Sequence, residues 1–149
     1  MEFCRIIALD YGIKRVGMAV CDPMMIIASG LGTLPNDGNL IKKILEFIEK
    51  YNPVELVLGM PTNLNGEQGT QAKEVVAFSE KLKLSVSIPI IFWDERFTSK
   101  MAVDAMREVG LNKKKRAQKG RIDEISAILI LQSYIEYKKN NITPVQNEI

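Results

Sequence analysis

Asp10 closes the apolar run Ile6-Ile7-Ala8-Leu9 just before the turn Tyr11-Gly12-Ile13-Lys14, and acidic pairs stand at the edges of two later apolar segments, Asp94-Glu95 and Asp123-Glu124. Carboxylates carried by separate elements to one point make a site for a hard divalent cation. Mg²⁺ or Mn²⁺ takes oxygen ligands and keeps several waters, so two or three carboxylates suffice. Two such ions about 4 Å apart activate a water and stabilise the leaving oxygen of an in-line displacement at phosphorus. The chemistry to expect is metal-dependent phosphoryl transfer. Taken singly, each acid also has a structural explanation. An Asp after a strand bonds turn amides, Asp94 can support a turn at Thr98, and acids favour the amino end of a helix.

Composition narrows the alternatives. The chain contains no histidine and two cysteines, Cys4 and Cys21. That excludes Ser-His and Cys-His nucleophile pairs, His-ligated zinc and a four-ligand structural zinc site. A turn centred on Gly12-Ile13 would set the two cysteines opposite each other, but two small buried thiols are expected rather than a disulfide. Net charge is +2, yet Lys113, Lys114, Lys115, Arg116, Lys119 and Arg121 place six positive charges in one short segment, leaving the remainder net negative. Such a concentration suits a polyanionic partner. With 149 residues, 46% apolar and 26% charged, the chain is expected to form one domain over 1–149, frayed from about 140. The first residues lack a signal-peptide pattern, and no apolar run approaches the roughly 18 residues of a membrane span. A cytoplasmic location without membrane contact is expected.

The elements that must position the acids follow from periodicity. Residues 4–10 and 15–21 read as an antiparallel hairpin, with Gly12 supplying the positive φ of a two-residue turn. A third strand is expected over about 25–34. Leu40, Ile41, Ile44, Leu45 and Ile48 recur at helical spacing up to Pro53. Strands are expected at Val54–Met60 and Ile88–Trp93 around a helix at 68–82. A further helix starts at Thr98 or Ser99 and stops at Gly110. The last, about 121–138, would bury Ile122, Ile125, Ile128, Leu129 and Ile135, with Asp123 in its first turn. Three antiparallel strands followed by βαβ units give an α/β fold: a five-stranded mixed sheet with helices on both faces. Ligands of such sheets bind beyond the carboxyl ends of the strands, where Asp10, Asn63 and Glu95 fall. Met24-Met25 and Trp93 read as packing.

In order and spacing, four stretches resemble the successive motifs of the YqgF family, also called RuvX, over nearly the whole chain. They are Leu9-Asp10-Tyr11-Gly12 with Lys14-Arg15-Val16-Gly17; Gly59-Met60-Pro61 with Asn63 and Gly66; Asp94-Glu95-Arg96 with Thr98-Ser99; and Ile122-Asp123 with Ala127. The resemblance implies a ribonuclease H-like fold related to the RuvC resolvases. It implies a nuclease maturing the 5′ end of pre-16S ribosomal RNA or a Holliday-junction resolvase, with Asp10, Glu95 and Asp123 as metal-binding catalytic acids for Mg²⁺ or Mn²⁺. Glu95 is preferred to Asp94 because its longer side chain reaches inward from a strand end. Glu124 stands where the family commonly has a small residue, which leaves the choice within Asp123-Glu124 open, although successive helical residues point about 100° apart.

Supporting roles follow from chemistry. Asn63 and Asn65 can hydrogen-bond a phosphate or ribose, and Arg96 can neutralise a non-bridging oxygen or orient Glu95. Lys14 and Arg15 can grip a strand beside the site, while Lys113, Lys114, Lys115 and Arg116 track a phosphate backbone. The partner is nucleic acid, ribosomal RNA precursor first and branched DNA second. A binding factor in ribosome biogenesis or transcription, with little catalysis, is the competing class. An actin-like or sugar-kinase phosphate loop at Asp10–Gly17 is disfavoured, since that architecture needs two such domains.

Overall fold

The computed structural model describes residues 4–61, 69–95 and 119–147. The opening meander forms from apolar runs, with β1 and β2 buried on both faces: β1 (Ile6–Tyr11), β2 (Arg15–Cys21) and β3 (Ala28–Pro35) pair antiparallel. Helix α1 (Leu40–Tyr51) leads to β4 (Glu55–Met60), α2 (Thr70–Lys83) leads to β5 (Ile90–Asp94), and α3 (Lys119–Asn147) follows. Helix α1 ends at Asn52, which takes the left-handed conformation (φ 49°) and donates its N–H to the Ile48 carbonyl. Asn tolerates that conformation, and the following Pro53 forbids continuation. Among the described residues the strand order is β3-β2-β1-β4-β5, with β4 parallel to both β1 and β5. This is the expected mixed sheet. The expected helix from Thr98 or Ser99 to Gly110 lies outside the described residues.

Strand alternation sorts the core into two layers. Ile7, Leu9, Val16, Met18, Leu56 and Leu58 pack against α1 and α2. Ile6, Ala8, Ala19, Cys21, Val57 and Trp93 pack against Ala127, Ile130, Leu131, Tyr134 and Ile135 of α3. The small residues lie chiefly on the α3 side, so this helix sits close to the sheet. Polar contacts pin it there. Trp93 Nε1 donates to Ser133 Oγ at 2.6 Å, while Tyr134 Oη and Lys138 Nζ donate to Glu55 Oε1 at 2.9 and 3.0 Å. Gln132 Oε1 accepts from the Ala28 N–H at 3.0 Å.

Four expectations are corrected. The hairpin pairs Tyr11 with Val16 and Asp10 with Gly17, so its turn is longer than two residues and Cys4 does not face Cys21. Cys4 N–H donates to the Pro23 carbonyl, Cys21 Sγ accepts from the Ile6 N–H, and both thiols are free. Gly12 does not adopt positive φ; it is needed because a Cβ there would lie 2.7 Å from the Arg15 carbonyl oxygen. Asn36 fixes the longer turn, donating from Nδ2 to the Gly12 carbonyl and from its N–H to the Lys14 carbonyl. Strand β3 starts at Ala28 rather than near 25, because the Asp22 carboxylate accepts from the N–H groups of Met24, Ile26 and Ile27 and holds that stretch as a loop.

The third correction concerns the face that α3 buries. Its buried residues are Ala127, Ile130, Leu131, Tyr134 and Ile135, whereas Ile122, Ile125, Ile128 and Leu129 are only partly covered. Both sets have helical spacing; the sheet selects the one carrying Ala127 and the partners of Trp93 and Glu55. The fourth concerns its length. The helix begins at Lys119, which moves Asp123 out of its first turn, and its assigned bounds extend to Asn147 rather than about 138.

Candidate active site

Asp10 sits near the carboxyl end of β1. Its side chain shares the α3 face with Ile6 and Ala8, and it lies between two glycines: Gly17 is its partner on β2, and the pairing of Leu9 with Leu58 sets Gly59 beside it on β4. Both glycines are required by close approach. A Cβ on Gly17 would fall on the main-chain carbonyl of Asp123 and 3.0 Å from the Glu124 nitrogen. A Cβ on Gly59 would lie 2.5 Å from Ile130 Cδ1 and 3.3 Å from Glu95 Oε2. The first gap therefore admits the backbone of α3 at Asp123, and the second admits the Glu95 side chain. A glycine inside an apolar strand marks such approaches, and this was the signal available in Gly17 and Gly59.

Alternation decides between Asp94 and Glu95. Trp93 lies in the α3 layer, while Asp94 pairs with Met60 of the α1–α2 layer. Asp94 thus belongs to the far face, and the Glu95 carboxylate lies over Gly59 beside Asp10. Helix geometry separates Asp123 from Glu124 in the same way. Glu124 Oε2 accepts from the Gly32 N–H at 2.7 Å, on the β3 stretch where Leu31 is an extra residue between the pairs Met18–Gly32 and Ala19–Gly30. Its carboxylate lies against Gly30, at a bulge that sequence periodicity did not reveal. Asp123 receives the Nε–H of Arg15 at 2.9 Å.

Burial pushes the Asp10 carboxyl up from 3.8 to about 7, with the charges of Glu95 and then Asp123 adding to the rise. Glu95 is also raised, by burial first and by the Asp94 charge second. The structure therefore brings Asp10, Glu95 and Asp123 into one electrostatic neighbourhood with an excess of negative charge and only hard oxygen donors, a donor set that fits Mg²⁺ or Mn²⁺. They are not drawn up as a finished cage: among the described residues no three acidic, cysteine or histidine side chains are grouped closely enough to hold an ion as they stand. Lys14 is exposed on the hairpin turn. Asn63, Asn65, Arg96, Lys113, Lys114, Lys115 and Arg116 lie outside the described residues.

The sequence matches the RuvX family, described as Holliday junction resolvase, over residues 4–137. The chain belongs to the RuvX family. A relative from Parabacteroides distasonis, named "Putative pre-16S rRNA nuclease", is 48% identical over 91% of this chain and 96% of its own length. One of the same name from Caldanaerobacter subterraneus is 37% identical over 92% and 99%. Among solved structures, Thermus thermophilus RuvC in complex with a Holliday junction superposes with a TM-score of 0.63 at 14% identity, covering 91% of this chain and 95% of that one. The Fowlpox virus resolvase bound to junction DNA gives 0.54 at 16%, covering 89% and 97%. These likenesses establish that this RuvX chain has the ribonuclease H-like fold of the RuvC resolvases.

The Glu124 contact yields a stability prediction. Glu124→Ala leaves the Gly32 N–H without its charged acceptor, and the expected loss is about 1–3 kcal/mol by urea unfolding. Glu124→Gln, whose amide oxygen still accepts, should lose less. Equal midpoints for Glu124→Ala and the parent would show that the bulge does not depend on this bond.

Proposed function

We propose that this RuvX-family nuclease hydrolyses phosphodiester bonds with Mg²⁺ or Mn²⁺ held by Asp10, Glu95 and Asp123, and that its substrate is the 5′ region of pre-16S ribosomal RNA. The observation that carries the reading is the half-buried Asp10 carboxyl, set between Gly17 and Gly59 and facing two further acids at the carboxyl end of a RuvC-like sheet. The bound ions would activate water and stabilise the leaving oxygen. The chain's own part is positional. Strand β1 and the residue following β5 hold Asp10 and Glu95 on either side of β4, and the close seat of α3 on Gly17 fixes the main chain of Asp123. With no histidine in the sequence, no side chain has an ordinary pKa near neutrality for proton transfer. Lys14, Arg15, Asn63, Asn65, Arg96 and the basic run Lys113, Lys114, Lys115 and Arg116 contact phosphates or sugars. The whole chain acts as one nuclease domain in the cytoplasm. Among the described residues no helix is long and apolar enough to cross a membrane.

Branched DNA is the second substrate reading, favoured by the superposition on RuvC with a Holliday junction. Purified protein is incubated with a pre-16S transcript and with a synthetic four-way junction, each with Mg²⁺, Mn²⁺, Ca²⁺ or EDTA. The expected result is cleavage of the transcript near the mature 5′ end with Mg²⁺ or Mn²⁺ and none with EDTA. Symmetric cutting of the junction alone would transfer the assignment to a resolvase, which needs two sites in a dimer. Binding of both substrates without cleavage of either would make the protein a binding factor.

A further inference from the structure

Arg15 is the first residue of β2, and its Nε lies 2.9 Å from Asp123 Oδ2. The Asp123 main chain is seated against Gly17, the β2 partner of Asp10, yet the three acids are not grouped closely enough to hold an ion. We infer that Arg15 is a built-in counter-cation of this site, which holds the Asp123 carboxylate away from Asp10 and Glu95 and must be displaced from it when a divalent cation binds. The inference rests on the proposed role of Asp123 as a metal ligand.

Three features make the exchange a side-chain event. The main chain of Asp123 is seated against Gly17, where not even a Cβ would fit, so the helix has no room to approach the sheet further. The bonds of Ser133, Tyr134, Lys138 and Gln132 fix the rest of α3 on the same face. Asp123 can therefore change partner only by rotating its side chain. Its present partner is replaceable: the Arg15 and Asp123 side chains are 36% and 29% exposed, and ion pairs in contact with water are weak. A divalent ion shared with two half-buried carboxylates offers a stronger interaction than one partly hydrated guanidinium.

The prediction is a gain of metal affinity on removing a positively charged neighbour, confined to proteins that retain Asp123. Free Mn²⁺ is measured by electron paramagnetic resonance during titration of the parent, Arg15→Gln, Asp123→Asn and the double variant. Arg15→Gln should bind Mn²⁺ roughly three- to fivefold more tightly, the scale on which an exposed pair competes. Asp123→Asn should bind less tightly, and adding Arg15→Gln to it should bring no gain, since paired residues are non-additive. Arg15→Lys, which keeps the charge without the Nε–H, should show a smaller increase and serves if the Gln variant does not fold. Unchanged or weaker binding by Arg15→Gln overturns the inference. So does an equal gain in the Asp123→Asn background, which would reveal general repulsion. If Asp123→Asn alone leaves Mn²⁺ affinity unaltered, the ligand assignment itself fails.

Discussion

Asp10→Asn is expected to abolish cleavage and, at the same time, to make the metal-free protein more stable at pH 8. The two effects have one origin. The Asp10 carboxyl titrates near 7 in the folded chain against an ordinary 3.8, so between those values the folded state holds a proton that the unfolded state has released. Stability then falls as pH rises through this window and levels off above it. Below about pH 4 both states are protonated and the group contributes nothing to the slope. The full displacement corresponds to at most roughly 4 kcal/mol; partial exposure of the side chain reduces it to a few. Raised Glu95 acts in the same direction. An amide cannot ionise, so Asp10→Asn should flatten the decline in urea midpoint from pH 4 to 7. Mn²⁺ should restore the parent at pH 8 and do much less for the variant. A variant less stable than the parent at pH 8, or one with an unchanged pH slope, would refute the charge-excess account. Normal cleavage by the variant would remove Asp10 from the catalytic set.

The order of strands was legible because it depends on coarse signals. Short turns join β1, β2 and β3, whereas helices separate β4 and β5, and crossover connections force parallel pairing. The hairpin register was less legible, since the turn is fixed by Asn36, which belongs to the next connection and reaches back to Gly12 and Lys14. The start of β3 was hidden for a similar reason: the Asp22 carboxylate takes three N–H groups that could otherwise have joined the strand. In α3 two apolar stripes interleave. Only the sheet distinguishes the face of Ala127 and Ile130 from that of Ile122 and Ile125.

The candidate site was readable as a set of acids and unreadable as a set of contacts. Asp10 is conspicuous as a carboxylate ending an apolar run. The preference for Glu95 came from its reach, while the structure supplies a different reason, the opposite facing of Asp94 across the sheet. Glu124 had no sequence signal of its own; its partner is a main-chain N–H in β3. Arg15 appeared as a phosphate contact, and its pairing with Asp123 depends on the long-range docking of α3 against β2.

That docking is most directly tested at Gly17. Gly17→Ala places a methyl group on the Asp123 carbonyl and against the Glu124 nitrogen, and both obstacles are backbone. Gly17 lies in β2, which is paired on both sides, at Gly17 with Asp10 and with Thr33. The helix is fastened by Ser133 to Trp93 and by Tyr134 and Lys138 to Glu55. Neither side can give cheaply, so the expected destabilisation is about 3 kcal/mol, in the range of overpacked cores. Relief must come from lifting the start of α3, which carries Asp123 away from Asp10 and should abolish both Mn²⁺ binding and cleavage. Gly59→Ala provides the contrast. Its methyl meets the tip of Ile130 and the Glu95 carboxylate, both of which can rotate, so about 1 kcal/mol should be lost while Glu95 is pushed from its place. Urea unfolding and Mn²⁺ titration of the two variants separate the effects. If Gly17→Ala unfolds at the parent's midpoint and binds Mn²⁺ equally well, the seat of α3 on β2 is not what positions Asp123.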